Sequence, residues 1–364
     1  MTLALAGFGT AVPEHVLTQQ EAVELHTTFC GIDDTRARTL RALYRRSGVA
    51  RRHSVILSAS EGPLPHRQAF YPPARCAQDP GPATATRMER YEAHAPPLAA
   101  DACRRALRCA GVRPSEVSHL VTVSCTGFFA PGLDAAVIDA LELSRDAQRT
   151  HVGFMGCHGA LNGLRLADSF VRSDPGSVVL VCSVELCSLH FAYGWDPEML
   201  VANALFADGA AAVVGRAHDP SDADAWCLRA MGTHLMPDSE EDMSWRIGDH
   251  GFRMTLSARV PDLIQEHVGT WLRAWLCAYG LGIEDIASWA VHPGGPRILG
   301  AVERTVGASR AISEVPREVL AEFGNMSSAT ILFILQRLRE RDAPRPCLAL
   351  AFGPGLVVEA ALIV

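Results

Sequence analysis

Three residues of this chain have neighbours that suit them to chemistry at a carbonyl group. Cys157 follows the apolar run 151–155 and Gly156, and a segment with helical spacing begins after it. His292 ends the apolar run 289–291 and is followed by Pro-Gly-Gly-Pro, and Asn325 precedes another helical segment. A thiol, an imidazole and an amide, each at the end of an element, can serve as nucleophile, proton or hydrogen-bond partner, and donor to an oxyanion.

Each of these residues also has a purely structural interpretation. Cys157 is one of 11 cysteines, and most of the others fit buried, unreactive core thiols. Gly156 and Gly159 beside it predict a tight strand-to-helix turn, where free N–H groups and the helix dipole favour a thiolate. His292 is one of 14 histidines, and Asn325 could simply cap the helix that follows it. We interpret all three as functional residues.

Longer motifs surround them: HPGGPRIL begins at His292, GNMSSA at Gly324 and FGPGL at Phe352. In this order the motifs resemble those of the type III polyketide synthases, the chalcone synthase-like enzymes of the thiolase superfamily. The resemblance runs from the first predicted strand, 3–9, to the last, 356–364, and so covers nearly the whole chain. It implies an α/β fold with thiolase-like αβαβα layers, made of two similar halves, and a homodimer.

The resemblance also implies a reaction. Cys157, as a thiolate paired with the His292 imidazolium, takes a starter acyl group from an acyl-CoA. His292 and Asn325 then hold malonyl-CoA while CO2 leaves, and the resulting carbanion attacks the Cys157 thioester. Repeated condensation and cyclisation give a pyrone, a resorcinol or a related aromatic polyketide. CoA thioesters are the substrates, and we expect neither a metal nor another cofactor.

The cavity positions implied by the resemblance differ from those of plant chalcone synthase. Phe206 matches the aromatic gate between CoA tunnel and cavity, but Met254 replaces a second gatekeeper phenylalanine and Trp245 replaces a glycine. This combination resembles bacterial alkylpyrone and alkylresorcinol synthases, while Met254 and Trp245 also fit ordinary core packing. The other residues predicted to bind substrate are Cys125, Thr126, Cys187, His190, Gly353 and Gly355.

Basic residues near the N-terminus give a candidate site for the phosphates of CoA. Arg41, Arg45 and Arg46 fall in or directly after a predicted helix, and guanidinium groups bind phosphate through paired hydrogen bonds. Only Arg46 matches a basic position of the family residue for residue. A cluster of this kind also fits a solvent-exposed helix face.

Composition and charge argue against several classes of protein. The 364 residues carry a formal charge of -7, which argues against nucleic acid as the main partner. The cysteines show neither a C-x-x-C pair nor metal-ligand spacing, so we expect reduced thiols and a cytoplasmic protein. The N-terminus lacks the basic start of a signal peptide, and no apolar run reaches the ~18 residues of a membrane span.

Strand and helix patterns alternate along most of the chain, which favours parallel strands with helices on both faces. The capping box Thr18-Gln-Gln-Glu21 predicts the start of the first helix. Residues 54–97 contain eight prolines, and we therefore predict a loop-like excursion there. A helix is predicted to follow over 98–110.

The chain is predicted to divide into two halves. A polar segment, 216–225, follows the last strand pattern of the first half. Residues 1–216 would carry the nucleophilic cysteine, and residues 217–364 the histidine and the asparagine. Period counting finds no sequence repeat between the halves, so their similarity rests on the resemblance.

The sequence is compatible with two other functions. A ketoacyl synthase III-type enzyme uses the same Cys, His and Asn on the same fold for a single extension, whereas HPGGP and FGPGL favour the polyketide type. A partner subunit without activity is a different class, and the intact Cys157, His292 and Asn325 argue against it.

Overall fold

The computed structural model describes residues 2–364. Its strands are β1 (Leu3–Ala11), β2 (Val16–Thr18), β3 (Arg51–His53), β4 (His119–Ser124), β5 (Gln148–Gly153), β6 (Val178–Leu186), β7 (Asp208–Ala217), β8 (Cys227–Leu235), β9 (Met243–Gly248), β10 (Gly251–Leu256), β11 (Ser288–Val291), β12 (Cys347–Gly353) and β13 (Val357–Ile363). Its helices are α1 (Gln19–Cys30), α2 (Asp34–Arg46), α3 (Thr84–Ala110), α4 (Leu133–Leu141), α5 (Gly159–Ser173), α6 (Pro197–Leu205), α7 (Val260–Cys277), α8 (Pro296–Val306), α9 (Glu314–Phe323) and α10 (Thr330–Glu340). Among residues 2–364, none of the helices combines the length and the apolar character that crossing a membrane requires.

Nine strands of the described chain form one mixed sheet in the order β11-β12-β13-β8-β1-β7-β6-β4-β5. The order contains a repeat, because β8-β13-β12-β11 on one side of the centre corresponds to β1-β7-β6-β4 on the other. The two sets meet where Leu3 pairs with Leu228 and Ala4 with Cys227. The fold therefore consists of two similar sheets joined along a short edge, while the boundary between residues 216 and 217 stays a prediction.

The sheets are less parallel than the alternation of elements predicts. β4 is parallel to β5 and β6, and β11 is parallel to β12. The remaining neighbours are antiparallel. Between β12 and β13 the chain has only the tight turn 354–356, which enforces antiparallel pairing because a parallel neighbour needs a long crossover.

Helices form three layers around the two sheets. We call β1, β4, β5, β6 and β7 the first sheet and β8, β11, β12 and β13 the second. α5 and α10 lie between the two sheets in one apolar core. α3 and α4 cover the outer face of the first sheet, and α7 and α8 cover that of the second. β12 shows how both faces are filled, since Cys347 and Ala349 join the inner core and Leu348 and Leu350 the outer one. Alternate side chains point to opposite faces of a strand. The predicted αβαβα fold is confirmed.

The prediction of a loop over residues 54–97 is wrong from Thr84 onward. α3 begins there and contains Pro96 and Pro97, although a proline removes one helical hydrogen bond and crowds the preceding turn. Tyr91 and Ala95, one turn apart, are buried in the core between α3 and the first sheet. The burial of this helix face outweighs the local penalty, and local composition does not show such a tertiary effect.

The sequence patterns also leave out α6, α9 and the hairpin of β9 and β10. In that hairpin Gly248 pairs with Gly251 across a tight turn, and Trp245 lies directly opposite Met254. The pairing places two predicted cavity residues side by side. The alternation of apolar and polar residues in this segment did not predict the hairpin.

The inner helices should contribute more to stability than their short length indicates. Ile334 of α10 is fully buried between the two sheets, so Ile334→Ala should lower the free energy of unfolding by about 2–5 kcal/mol. Arg104→Ala on the exposed side of α3 serves as the control and should change it by less than ~0.5 kcal/mol. Urea unfolding measures both. Equal small effects would show that the inner layer is not the main core.

Candidate active site

Cys157 lies in a tight turn between the end of β5 and the start of α5. The backbone reaches the turn through left-handed conformations at Phe154 (φ 56°) and Gly156 (φ 71°). A Cβ atom at Gly156 would lie 2.1 Å from the Cδ atom of Pro354, so only glycine allows this close packing. The turn predicted from the sequence is therefore present. Gly156, directly before Cys157, thereby packs against Pro354 in the turn that joins β12 to β13.

The Asn325 side chain is held with its amide nitrogen free. Its backbone N–H donates to the Leu205 carbonyl, and its carbonyl accepts from the Ala207 N–H, both at 2.9 Å. The side-chain oxygen accepts the N–H of Ser327 at 2.9 Å. The helix-capping interpretation is thus partly right, because the oxygen stabilises the turn 327–329 ahead of α10. The NH2 group remains available as a donor.

Asn325 and Ser327 both interact with Cys157. Burial raises the pKa of the Cys157 thiol to about 12, and the nearby side chains of Ser327 and Asn325 lower it by a smaller amount. The negative charge of Glu185 adds to the increase. Two donors aimed at sulfur favour a thiolate, whereas the surrounding apolar walls oppose it.

His292 follows β11 at the same end of the sheet. Its backbone N–H donates to the Leu350 carbonyl at 2.8 Å, and its side chain is 1% exposed. Within residues 2–364 neither ring nitrogen has a hydrogen-bond partner. Burial, with a smaller effect of nearby His158, lowers the pKa of His292 to about 3. A neutral imidazole with two unused nitrogens can both accept a proton and donate a hydrogen bond.

Glu185 is a buried acid of the site that the sequence patterns did not reveal. It lies at the end of β6 and accepts hydrogen bonds from the Cys125 N–H at 3.0 Å, the Thr126 hydroxyl at 2.7 Å and the Ser328 hydroxyl. Burial raises its pKa. Its only signal in the sequence is one acidic residue at the end of an apolar strand. The carboxyl group ties the Cys125–Thr126 wall to the turn after Asn325.

One cavity connects the predicted substrate-binding residues with Cys157. It encloses about 1090 Å³ of space outside the protein atoms, including its open mouth. Phe206, Trp245 and Met254 line it together with Cys157. Cys125, Thr126, Cys187 and His190 form more of its wall. Pro354 lines the cavity where Gly353 and Gly355 were predicted to do so, and the two glycines flank it.

Hydrogen bonds fix the part of the wall around Trp245. The Trp245 indole N–H donates to the Cys125 carbonyl at 2.7 Å. The His190 ring accepts the Phe252 N–H at 3.0 Å through Nδ1 and donates through Nε2 to the Thr126 carbonyl at 2.7 Å. This pattern fixes the neutral tautomer, and burial lowers the pKa of His190 to about 3. Trp245 is half-buried and lines the cavity, where its indole hydrogen bond holds it against the Cys125 wall.

Phe206 is linked directly to Asn325. It is the residue after α6, and its backbone forms a parallel bridge with Asn325. The Arg52 guanidinium donates to the Phe206 carbonyl at 2.9 Å and to the Asn203 carbonyl at 2.8 Å. Since the carbonyl end of a helix is negative, the cation suits this position. The aromatic side chain and the amide donor are thus held by the same contacts.

The cavity extends to a wall that the sequence did not predict. α1 contributes residues at helical spacing, namely Ala22, Leu25, His26 and Phe29, and α2 contributes Tyr44. The spacing marks the buried face of α1. It does not show which element that face contacts, and so it could not identify a cavity wall.

Arg41, Arg45 and Arg46 are exposed on α2. Tyr44 of the same helix is buried and lines the cavity. The three cations therefore lie on the outer side of a helix whose inner side borders the site.

Comparison with sequence families and known proteins gives a consistent result. Residues 1–220 match the family described as chalcone and stilbene synthases, N-terminal domain, and residues 228–364 match the corresponding C-terminal domain. The chain is 34% identical over 365 residues to 1,3,6,8-tetrahydroxynaphthalene synthase of Streptomyces peucetius subsp. caesius, covering 99% of this chain and 92% of that protein. It is 32% identical over 366 residues to the alpha-pyrone synthesis polyketide synthase-like Pks18 of Mycobacterium tuberculosis, with coverages of 98% and 90%.

Solved structures agree with this assignment. PKS-I from the brown alga Ectocarpus siliculosus superposes with a TM-score of 0.92 at 30% identity, covering 100% of this chain and 98% of that one. The C-terminal type III polyketide synthase domain of Steely1 from Dictyostelium superposes with a TM-score of 0.88 at 24% identity, with coverages of 100% and 99%. The second likeness supports the fold alone.

Proposed function

The chain belongs to the chalcone and stilbene synthase family, the type III polyketide synthases, and we propose that Cys157, His292 and Asn325 carry out its condensation chemistry. The observation that carries this assignment is the Asn325 amide. Its oxygen accepts the Ser327 N–H, its side chain lies near the Cys157 sulfur, and Cys157 and Ser327 line the cavity. A fixed donor next to a nucleophile suits stabilisation of a charged oxygen during acyl transfer.

Loading begins with a proton transfer. The Cys157 thiol gives its proton to a ring nitrogen of His292, and the sulfur attacks the thioester carbonyl of an acyl-CoA. A new bond forms between sulfur and the acyl carbon while the bond to the CoA sulfur breaks. The CoA thiolate takes the proton back from His292 and leaves as the free thiol.

Extension uses the same groups in a different way. The amide of Asn325 and one N–H of His292 donate to the thioester carbonyl of malonyl-CoA. The bond to the carboxylate breaks, CO2 leaves, and the enolate carbon attacks the thioester on Cys157. A carbon–carbon bond forms, the sulfur is released, and the lengthened chain returns to Cys157 from CoA. CoA thioesters supply every carbon atom of the product.

We propose that condensation is repeated and ends in cyclisation to a pyrone, a resorcinol or a related aromatic polyketide. The relatives are named for a tetrahydroxynaphthalene and for alpha-pyrone synthesis, which are cyclic products. The cavity beyond Cys157 has walls from α1 and from the β9–β10 hairpin, so it has room for a growing chain. This space favours the polyketide type over a single-extension ketoacyl synthase III-like enzyme, and the intact site disfavours a partner subunit without activity.

Binding and assembly complete the proposal. We propose that Arg41, Arg45 and Arg46, which are exposed on α2, hold the CoA phosphates outside the cavity. Large apolar side chains at the surface, Phe128 and Met155 among them, support a homodimer. Free thiols throughout the described chain suit a reducing cytoplasm. We also propose that the boundary between the two halves of the chain lies between residues 216 and 217.

The thiolate–imidazolium pair gives a testable pH dependence. Burial alone leaves Cys157 and His292 neutral, with pKa values of about 12 and about 3. Moving the proton between them creates two opposite charges together, and their attraction in a dry site offsets the lost hydration. Iodoacetamide alkylation of Cys157 in the wild type should therefore level off near neutral pH.

The matched variant is His292→Ala. Without the imidazolium the pKa of the Cys157 thiol stays raised, so the thiolate and the alkylation rate should rise about tenfold per pH unit across the neutral and alkaline range. Mass spectrometry of the Cys157 peptide measures both profiles. Coinciding profiles would refute the ion pair while leaving His292 as a hydrogen-bond donor.

Loss of the amide donor should affect decarboxylation most. Asn325→Ala should slow malonyl-CoA decarboxylation by roughly 100–1000-fold, the usual effect of removing one oxyanion donor. Release of CO2 from labelled malonyl-CoA measures it, with Cys157→Ala as the control that keeps the donors but makes no condensation product. An Asn325→Ala enzyme with nearly wild-type decarboxylation would contradict the proposed role.

Cavity size should set the product. Trp245→Gly removes the bulk of an indole from the wall and should allow longer starters or an additional malonyl extension. Met254→Phe should narrow the starter range, with long acyl chains lost first. Mass spectrometry of products from acyl-CoAs of increasing length, each with malonyl-CoA, gives the profile. Wild-type product ratios from a folded Trp245→Gly enzyme would show that Trp245 does not limit chain length.

A further inference from the structure

Arg87 is a fully buried cation behind the cavity wall. It lies at the start of α3, its exposed fraction is 0%, and it is not one of the residues that line the cavity. A buried guanidinium destabilises the fold unless hydrogen bonds replace the lost water. The acceptors of those bonds therefore show which parts of the molecule Arg87 holds in place.

The guanidinium holds the chain on both sides of His190. Its Nη1 donates to the Leu189 carbonyl at 2.6 Å and to the Phe191 carbonyl at 3.1 Å. The Tyr71 hydroxyl lies 3.2 Å from the same nitrogen. Tyr71, His190 and Phe191 all line the cavity. Because the donor carries a full charge, these bonds are stronger than those between neutral groups.

The same end of α3 holds the turn of the β9–β10 hairpin. A Cβ atom at Gly251 (φ 99°) would lie 2.8 Å from Nη1 of Arg87, so the turn packs directly on the guanidinium. Thr84 donates through its hydroxyl to the Gly248 carbonyl and accepts the Gly251 N–H at 2.8 Å. The backbone N–H of Thr84 donates to the Asp249 carbonyl, also at 2.8 Å. The hairpin turn is thus fixed to the start of α3.

His190 connects the two parts of the wall that Arg87 contacts. Its Nδ1 accepts the Phe252 N–H, and its ring stacks on Phe252 with the ring centres 4.1 Å apart. Its ring also meets the edge of Trp245 at 5.5 Å, and Trp245 lies opposite Met254 in the hairpin. An acceptor at Nδ1 requires a neutral ring. Burial lowers the pKa of His190, and the charge of Arg87 adds to this effect.

We propose that Arg87 is a positioning residue that sets the shape of the cavity from outside it. By fixing residues 187–193 and the β9–β10 hairpin to the start of α3, it holds Trp245 and Met254 in one position relative to His190. A wall held in one position discriminates between acyl chains by length, because a chain that does not fit must displace it. The inference rests on the proposed function, since it takes the occupant of the cavity to be an acyl chain.

Hydrogen exchange tests whether Arg87 holds the wall. Arg87→Met keeps the length of the side chain but removes its charge and its donors. The backbone amides of 187–193 and 243–256 should then exchange about tenfold faster, relative to those of β4, than in the wild type. Unchanged exchange of both segments in a folded Arg87→Met protein would overturn the proposal.

Arg67→Met is the matched control. Arg67 is 2% exposed and donates to the Val16 carbonyl at 2.7 Å and to the Ala59 carbonyl at 3.1 Å, which lie outside both segments. This variant should leave their exchange within about threefold of the wild type. If Arg87→Met does not fold, Thr84→Val removes only the hydroxyl bonds to the hairpin turn. It should speed the exchange of 243–256, and the absence of that change would likewise overturn the proposal.

Ligand binding separates positioning from a purely structural role. In the Cys157→Ala background, which cannot be acylated, calorimetry gives the affinities for acetyl-, hexanoyl-, decanoyl- and dodecanoyl-CoA. The ratio between the tightest and the weakest should fall about tenfold in Arg87→Met and stay within about threefold in Arg67→Met. Arg87→Lys keeps the charge and a donor, and should restore most of the ratio.

An equal ratio in Arg87→Met and Arg67→Met, or no discrimination by the protein with Arg87 intact, would overturn the proposal. Failure of the wild type to extend any of these starters with malonyl-CoA would count against the proposed function instead, since exchange and binding are measured without turnover.

Discussion

The packing of the two inner helices between the sheets determines where the reactive groups lie. α5 follows the Cys157 turn, and α10 follows the turn after Asn325. A Cβ atom at Gly159 would lie 2.9 Å from Val123 and 3.5 Å from the Cβ atom of Ser328. The absence of a side chain at Gly159 thus lets α5 approach the first sheet and the Asn325 turn together. Backbone contacts, more than side-chain charges, bring the thiol and the amide to one wall.

Burial of the site has two opposite effects: it disfavours single charges on Cys157 and His292, and it strengthens hydrogen bonds to a charge once one forms. The apolar surroundings raise the pKa of Cys157 and lower that of His292, so neither residue is charged by itself. The same dryness strengthens every hydrogen bond that Asn325 and Ser327 make to a negative atom. The site is therefore suited to charges that appear in pairs and move together. In the proposed mechanism such charges arise when a proton passes from sulfur to imidazole and when an enolate forms beside two donors.

Sequence reasoning succeeded where the position of a residue depends on a local motif. Cys157, His292 and Asn325 each stand beside glycines or prolines that fix a turn, and the structure places those turns at strand or helix ends as predicted. It failed where packing between distant elements decides. α3 continues through two prolines because its apolar face is buried. Glu185 and the α1 wall belong to the site only because of what lies opposite them, and spacing along the chain carries no such information.

The most direct test of the account is the covalent state of Cys157 during turnover. The protein would be incubated with an acyl-CoA and isotope-labelled malonyl-CoA, quenched rapidly, digested and analysed by mass spectrometry. The account predicts a ladder of adducts on the Cys157 peptide, the starter acyl group followed by chains that grow by one acetyl-sized unit at a time. A single extension, or adducts on a different cysteine with Cys157 unmodified, would contradict it.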